Sequence, residues 1–409
     1  MRETLALVFM VRQERRSWIP AGIWGLVAIA SLAAAVWLAI QPGQLKDLHE
    51  VRTWLAYLRE GTGNPYARFY GTLDYPPIAL VILGPLGLIP EHALAAWYLP
   101  ISILVTALAG WVFVGAISER LYTQLSTQQR VAIVAMILSG SSVRGAIWVG
   151  QTVALSVLFG ALALRWSRTR PFAAALALAL CSFKPHLAVG FGLALLLIDG
   201  ASVIIVAAAI VISVSLLVAV AINQSLLDVL ASYGVNLLSL YGGADRIRGL
   251  LSVRWVLEDG IGHFAIAQAL YVLLACASLV AIGIVARRAP DAAGRTQAIA
   301  AAILWPLLFL PSQLYTGLMA APALWLLMWP EGGLIRTESR RLLCVAAFLL
   351  FGVFDVPRVL RLSSDLLDSG YWLYKGSYYL SPLRLVVVFG FILLVAARRR
   401  GPRRAGLPS

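Results

Sequence analysis

Asp47, His49 and Glu50 fall within four positions of one another in KDLHEVRTW, the stretch from Lys46 to Trp54. It follows directly on an apolar run that ends at Ile40. Ionisable groups are costly to keep beside a membrane, so their density here asks for a purpose. A carboxylate can serve as a general base, and helical spacing places Asp47 and Glu50 on one face, with Val51, Trp54 and Leu58 continuing the period and Gly61 as a natural stop. Asp-x-x-Glu at a helix start is also the capping-box pattern, in which side chains satisfy free backbone N–H groups. The two roles coexist only if one Asp47 oxygen stays free. A helix N-terminus would keep Asp47 ionised but lower its basicity. A zinc-protease role is excluded, because His49-Glu50 is followed by VRT and lacks the second histidine of H-E-x-x-H.

Two cations stand where apolar segments turn: Arg144 in SSVRGAIWVGQ and Lys184 in CSFKPH. Facing lipid they would be expensive, whereas lining a wet pit they are candidate ligands for an anion. Lys184 can equally snorkel to water from a helix end. His186, just after Pro185, either assists phosphate binding or hydrogen-bonds a carbonyl freed by the proline. Gln151 opens a span with a polar amide and is expected to face protein or the pit. Tyr66, Phe69, Tyr70, Tyr75 and the later GYWLYKGSYYL are aromatic enough to anchor at an interface, and some of them, Tyr75 included, can stack on a sugar ring.

The elements that must position these residues are membrane spans. The chain has 409 residues, is 60% hydrophobic and 13% charged, and has a mean hydropathy of +0.84, which no water-soluble surface can carry. Its net charge of +14 does not indicate nucleic acid, because the arginines bunch in short connections and in the tail ARRRGPRR. That is the positive-inside pattern. The basic segment 1–20 is too long for an ordinary cleaved leader and is expected in the cytoplasm, as is the tail 398–409. Spans are predicted at 21–40, 93–116, 131–142, 150–165, 171–183, 186–198, 201–221, 263–286, 296–310, 315–329, 342–355 and 382–397. The expectation is an all-α integral membrane protein, one polytopic domain of about 12 transmembrane helices.

In that threading the first extracytoplasmic loop, 41–75, contains the helix of Asp47, and the segments 222–262 and 356–381 also lie outside. Pro76–Pro90 is short for a span and is expected to be re-entrant or interfacial. The segments 131–142, 171–183 and 186–198 are roughly 20 Å long against a hydrocarbon core of about 30 Å, so a basic hollow in the outer leaflet is expected at their ends. The three cysteines, Cys181, Cys276 and Cys344, imply neither a disulfide framework nor a zinc site, and neither metal nor cofactor is expected.

The order of these signals resembles the family 87 membrane glycosyltransferases, which include polyprenol-phosphate-mannose-dependent mannosyltransferases of GT-C type. Asp47 opens DLHEV where that family has an Asp after its first span. Asn64-Pro65-Tyr66, then Tyr75-Pro76-Pro77 with GPLGLIP, then Gly150-Gln151, then Lys184-Pro185 match its pieces in order, over roughly residues 20–330. One departure is the later LPSQLYTGL, which carries Thr316 where the family often has a histidine.

The resemblance implies a hexosyltransferase, mannose first among the sugars, that moves a sugar from a polyprenyl phosphate donor to a lipid or glycan acceptor outside the cytoplasm. It implies a plasma-membrane enzyme of the cell envelope that inverts the anomeric centre. Asp47 would be the base, and Lys184, Arg144, Gln151, Glu50, His186 and Tyr75 would bind substrate. The partners would be that donor and acceptor and the membrane lipids, with no nucleic acid. A lipid or solute transporter would also explain many spans and buried cations, but no related halves stand out in the sequence. An inactive relative that scaffolds other envelope enzymes is the third reading.

Overall fold

The computed structural model describes residues 22–41, 43–60, 63–120, 125–198, 200–241, 252–289, 292–312, 385–387 and 389–390. The segments 1–20 and 398–409, the predicted spans 315–329 and 342–355, most of 382–397, the outer segment 356–381 and Thr316 lie outside the described residues.

Every regular element among the described residues is helical. Four helices are long and apolar enough to cross a membrane: α1 (Gly22–Ala39), α5 (Glu91–Arg120, of which Glu91–Glu119 qualifies), α11 (Ala201–Ala221) and α14 (Phe264–Arg288). The predicted 201–221 coincides with α11, and the other three begin or end within a few residues of their predicted limits. α14 and α11 leave large apolar side chains bare, among them Phe264, Val272, Leu273, Ile205 and Leu217. Such long apolar faces suit lipid, not water.

The expected count of about 12 spans is not established. α8 (Val153–Trp166), α9 (Pro171–Cys181) and α10 (Pro185–Leu196) have 14, 11 and 12 residues. At 1.5 Å per residue they reach roughly 16 to 21 Å, short of a full hydrocarbon core. The predicted turn after 131–142 is corrected. α6 (Thr127–Leu138) is followed at once by a second helix, α7 (Ser141–Val149), bent from it by 56°, so Arg144 sits on a helix and not on a turn. α15 (Ala292–Phe309) continues through Pro306.

The short helices pack through small residues. On Gly160 of α8, a Cβ would stand 2.1 Å from the ring of Phe191 on α10, so only glycine lets that ring lie against α8. Phe191 in turn meets Phe113 of α5, with ring centroids 5.6 Å apart. This core fixes the α9–α10 junction, where Lys184 lies.

The described parts of the segments 41–75 and 222–262 are largely helical. In the first, α2 (Lys46–Glu60) buries Leu48, Val51, Trp54 and Leu55, a helical stripe, and leaves Glu50 exposed. α3 (Pro65–Arg68) follows. Pro76–Pro90 holds α4 (Pro77–Ile82) and a 3₁₀ segment, Gly84–Leu88. The six residues of α4 cover only about 9 Å, so this stretch is no spanning helix. In the segment 222–262 stand two helices that the polar sequence did not announce, α12 (Leu226–Tyr241) and α13 (Val253–Ile261).

Candidate active site

The start of α2 is locked to the end of α7. Leu45 has a positive φ of 57°, its carbonyl accepts from Leu48 N (3.0 Å) and His49 N (3.1 Å), and its own N–H donates to the Trp148 carbonyl (3.1 Å). Across from it, Gly150 ends α7 in the left-handed region at φ 84°, and a Cβ there would lie 2.7 Å from Leu48 Cβ. Handedness and space both demand glycine. The next residue, Gln151, is thereby delivered beside α2. Its N–H donates to Ala146 O (2.8 Å), and its carbonyl accepts from Tyr98 Oη (2.8 Å), which is buried on α5.

The Gln151 side chain is buried, and its Nε2 donates to Asp47 Oδ2. The carboxylate accepts no backbone N–H among the described residues, so Asp47 is not the cap of its own helix. The Gly-Gln pair is a device for aiming an amide at Asp47. Burial raises the Asp47 pKa above the usual aspartate value; the Gln151 bond and the charges of Lys184 and Lys46 offset this in part, while Asp74 adds to it. The basicity that a helix start removes is returned by burial.

Lys184 is 5% exposed in the break between α9 and α10, with Pro185 as the first residue of α10. A proline there fixes the helix start and keeps the preceding residue out of the helical region. Its Nζ lies 4.0 Å from the centroid of the Tyr75 ring, a cation–π contact. Burial works against the Lys184 ammonium, but Tyr75, Asp74 and Asp47 outweigh it and hold its pKa above the ordinary lysine value. Burial also raises the Tyr75 phenol, so its hydroxyl stays protonated at neutral pH.

The remaining motifs hold Tyr75. Asn64 Oδ1 accepts from Tyr66 N (3.0 Å), capping α3, and Pro65 is the first residue of that helix. Tyr66, 1% exposed, donates its hydroxyl to the Tyr75 carbonyl (2.9 Å). Trp54 of α2 packs on the Tyr75 ring with centroids 5.6 Å apart. Pro76 and Pro77 then start α4. Asn-Pro-Tyr and Tyr-Pro-Pro are thus scaffolding for one aromatic ring under one lysine.

Beside this ring lies a cavity of about 400 Å³, within the range of small-molecule sites. Asp74, Tyr75, Phe183, Lys184, Pro185, His186 and Val189 line it on one side, and Leu237, Leu238, Tyr241, Arg254, Leu310 and Pro311 on the other. Asp47 is not in the lining and acts on the cavity through the charge of Lys184. α12 ties the 64–74 segment down. Asn236, fully buried, accepts from Gly71 N and donates from Nδ2 to Leu73 O (2.6 Å). Tyr241 Oη donates to Asp74 Oδ2 (2.8 Å), and Asn64 Nδ2 donates to Ser232 Oγ (3.0 Å).

The predicted site residues therefore divide. Asp47, Gln151, Lys184 and Tyr75 come together, and His186 joins the cavity wall with a buried Nε2 that has no hydrogen-bond partner among the described residues. Glu50 stays at the exposed edge, one turn from Asp47. Arg144 does not reach the cavity lining: its Nη1 donates to Ser31 Oγ (2.8 Å) and Ser139 O (2.9 Å), joining α1 to the α6–α7 break. Sequence reasoning missed Asp74, Asn236 and Arg254. Asp74 had a signal, since it directly precedes Tyr-Pro-Pro. The other two come from a segment with no motif. Among the described residues no three His, Cys, Asp or Glu side chains group to hold a metal ion.

The model of glycosyltransferase family 87 matches residues 73–312, which include Tyr75, Gln151, Lys184, His186 and Arg254; Asp47 precedes the matched segment. No curated protein and no solved structure gives a significant match. The match covers more than half of the chain and favours an enzyme over a transporter. This helical membrane protein belongs to glycosyltransferase family 87 and is a glycosyltransferase.

Proposed function

We propose that the enzyme transfers a hexose, mannose first among the candidates, from a polyprenyl phosphate to a lipid or glycan acceptor on the extracytoplasmic side of the plasma membrane, with Asp47 as its one base. In this reaction the acceptor hydroxyl gives its proton to Asp47 as its oxygen bonds to the anomeric carbon. The bond from that carbon to the phosphate oxygen breaks on the opposite face, so configuration inverts. The phosphate leaves without a proton, and no second carboxyl is needed as acid.

One observation carries the reading: Asp47 is a half-buried carboxylate of raised pKa, fixed by Gln151 and coupled through charge to Lys184, which lines the cavity. A base of raised pKa takes a proton more readily, and a fixed ammonium stabilises charge as it grows on the leaving phosphate. The apolar part of the wall, Val189, Leu237, Leu238 and Leu310, suits a hydrocarbon chain. Helices too short to span give such a chain a lateral entry within the membrane. Tyr75 lines the cavity and offers a ring for a sugar to stack on, while Gln151, outside the lining, holds Asp47.

Asp74 is the rival base, because it lines the cavity and Asp47 does not. One of its oxygens is already taken by Tyr241. The discriminating experiment is transfer of label from a polyprenyl phosphate sugar in membranes that contain equal amounts of wild type, Asp47→Asn or Asp74→Asn. Loss of transfer in Asp47→Asn with substantial transfer in Asp74→Asn supports the assignment. The reverse pattern moves the base to Asp74, and no transfer by wild type rejects the donor.

A further inference from the structure

The geometry points to Arg254 as a second cation of the donor site, braced by Glu258 and Gln268 and facing the same cavity as Lys184, where it binds the phosphate of a lipid-linked donor. This rests on the donor class proposed above and adds a second cationic hydrogen-bond donor to the lining of the cavity.

Three charged side chains line the cavity: Lys184, Arg254 and Asp74. Lys184 alone leaves no excess of positive charge beside Asp74; Arg254 adds a second cation to the lining, whose charge Glu258, at 2.8 Å and outside the lining, offsets in part. Lys184 is also shared with Asp47 and Tyr75, so it is not wholly at the disposal of a ligand. Arg144, the other arginine that the sequence offers, is hydrogen-bonded to Ser31 and Ser139 and lies outside the lining.

The surroundings of Arg254 hold it in one orientation. It is on the first turn of α13, where Ser252 caps the helix by accepting Arg254 N (3.2 Å). Its Nε donates to Glu258 Oε1 (2.8 Å), one turn on, and its Nη1 donates to the Tyr241 carbonyl (3.1 Å) at the end of α12. Nη2 makes no hydrogen bond among the described residues. Glu258 is itself held by Gln268 Nε2 of α14 and is 6% exposed. Its Oε2 is buried with no partner among the described residues. A carboxylate kept in that state and spent on an arginine is explained by what it positions.

Tyr241 links the two walls, since its hydroxyl holds Asp74 and its carbonyl holds Arg254. Charge on the phosphate grows as the sugar departs, so a fixed guanidinium favours the transition state as well as binding.

The test uses the full-length protein in nanodiscs with three probes: citronellyl phosphate, citronellol and inorganic phosphate. Wild type is expected to bind citronellyl phosphate more tightly than either of the others, because only that probe satisfies both the cations and the apolar wall. Arg254→Gln is expected to weaken citronellyl phosphate about 10- to 100-fold, the worth of one hydrogen bond to a charged group, and to leave citronellol unchanged. Glu258→Gln, which removes the brace's charge alone, should weaken it less and raise KM for the donor more than it lowers kcat. Arg254→Lys keeps the charge without the fork, is expected to lie between, and decides the matter if the glutamine variant does not fold. Undiminished phosphate binding by Arg254→Gln overturns the assignment alone. Wild type that cannot tell citronellyl phosphate from citronellol overturns the donor class with it. Inorganic phosphate as tight as citronellyl phosphate overturns the lipid-linked ligand.

Discussion

The Asp47 side of the site and the Arg254 side are built by different means. Asp47 and Gln151, 104 residues apart, meet where each neighbour has a visible reason: Gly150 for its left-handed backbone and its lack of a Cβ, Leu45 for the carbonyl that starts α2, and Tyr98 for the hydroxyl that donates to the Gln151 carbonyl. Arg254 is held by Glu258 and Tyr241, near in sequence, and reaches the rest of the site through α12, which binds the 64–74 segment from about 165 residues away. The first kind of construction leaves short motifs in a sequence. The second leaves ordinary helices that contain one asparagine or one arginine.

The largest expected effect falls on the Asp47 side. Asp47→Asn should lower transfer by about 10²- to 10⁴-fold, the usual contribution of a general base. Its melting temperature should not fall. A carboxyl whose pKa is raised on folding stabilises the fold while protonated, and that stability is lost as pH rises above the unfolded-state value; at neutral pH the buried charge is a cost that asparagine removes. Asparagine also keeps an oxygen for Gln151. A mutant that lost activity by unfolding would erase the distinction between the two sides.

Lys184→Gln comes next, with about 10- to 100-fold weaker use of the donor, measured as KM in membranes. Gln151→Ala should cost less in rate at neutral pH but should displace the pH profile. The Gln151 bond holds the Asp47 pKa down, so its removal raises that pKa further. The acid limb of kcat/KM, already above the ordinary aspartate range in wild type, should then move to still higher pH. No movement would separate Asp47 from the titration.

The smallest effect on chemistry is expected from Asn236→Ala, which acts on stability. It leaves Gly71 N and the Leu73 carbonyl without their side-chain partner, at about 1–3 kcal/mol for each group left unsatisfied. A thermal shift of the purified protein should show a lower midpoint, with kcat close to wild type once the sample is folded.

How far the sequence went follows from the same contrast. The long spans were legible because an apolar run of 20 residues has few alternatives, and α11 matched its expected limits. Asp47, Gln151, Lys184 and Tyr75 were legible because polar groups at the ends of apolar segments are expensive and so conspicuous. Arg144 was equally conspicuous and went elsewhere, since cost alone does not say which neighbour compensates it. The break between α6 and α7 at Ser139–Gly140 was taken for the end of a helix, and a second helix followed. α12 and α13 were read as polar connection because their pattern mixes apolar and polar residues, and their partners are far off in sequence. Asp74 was in view and was passed over as one acid among several.

The most direct test is a structure of the full-length enzyme with a non-transferable polyprenyl phosphate sugar and an acceptor bound together. The account predicts the acceptor hydroxyl within roughly 2.6–3.2 Å of an Asp47 oxygen, on the side of the anomeric carbon opposite the phosphate. An acceptor hydroxyl held by Asp74, with Asp47 still closed behind Gln151, would contradict it.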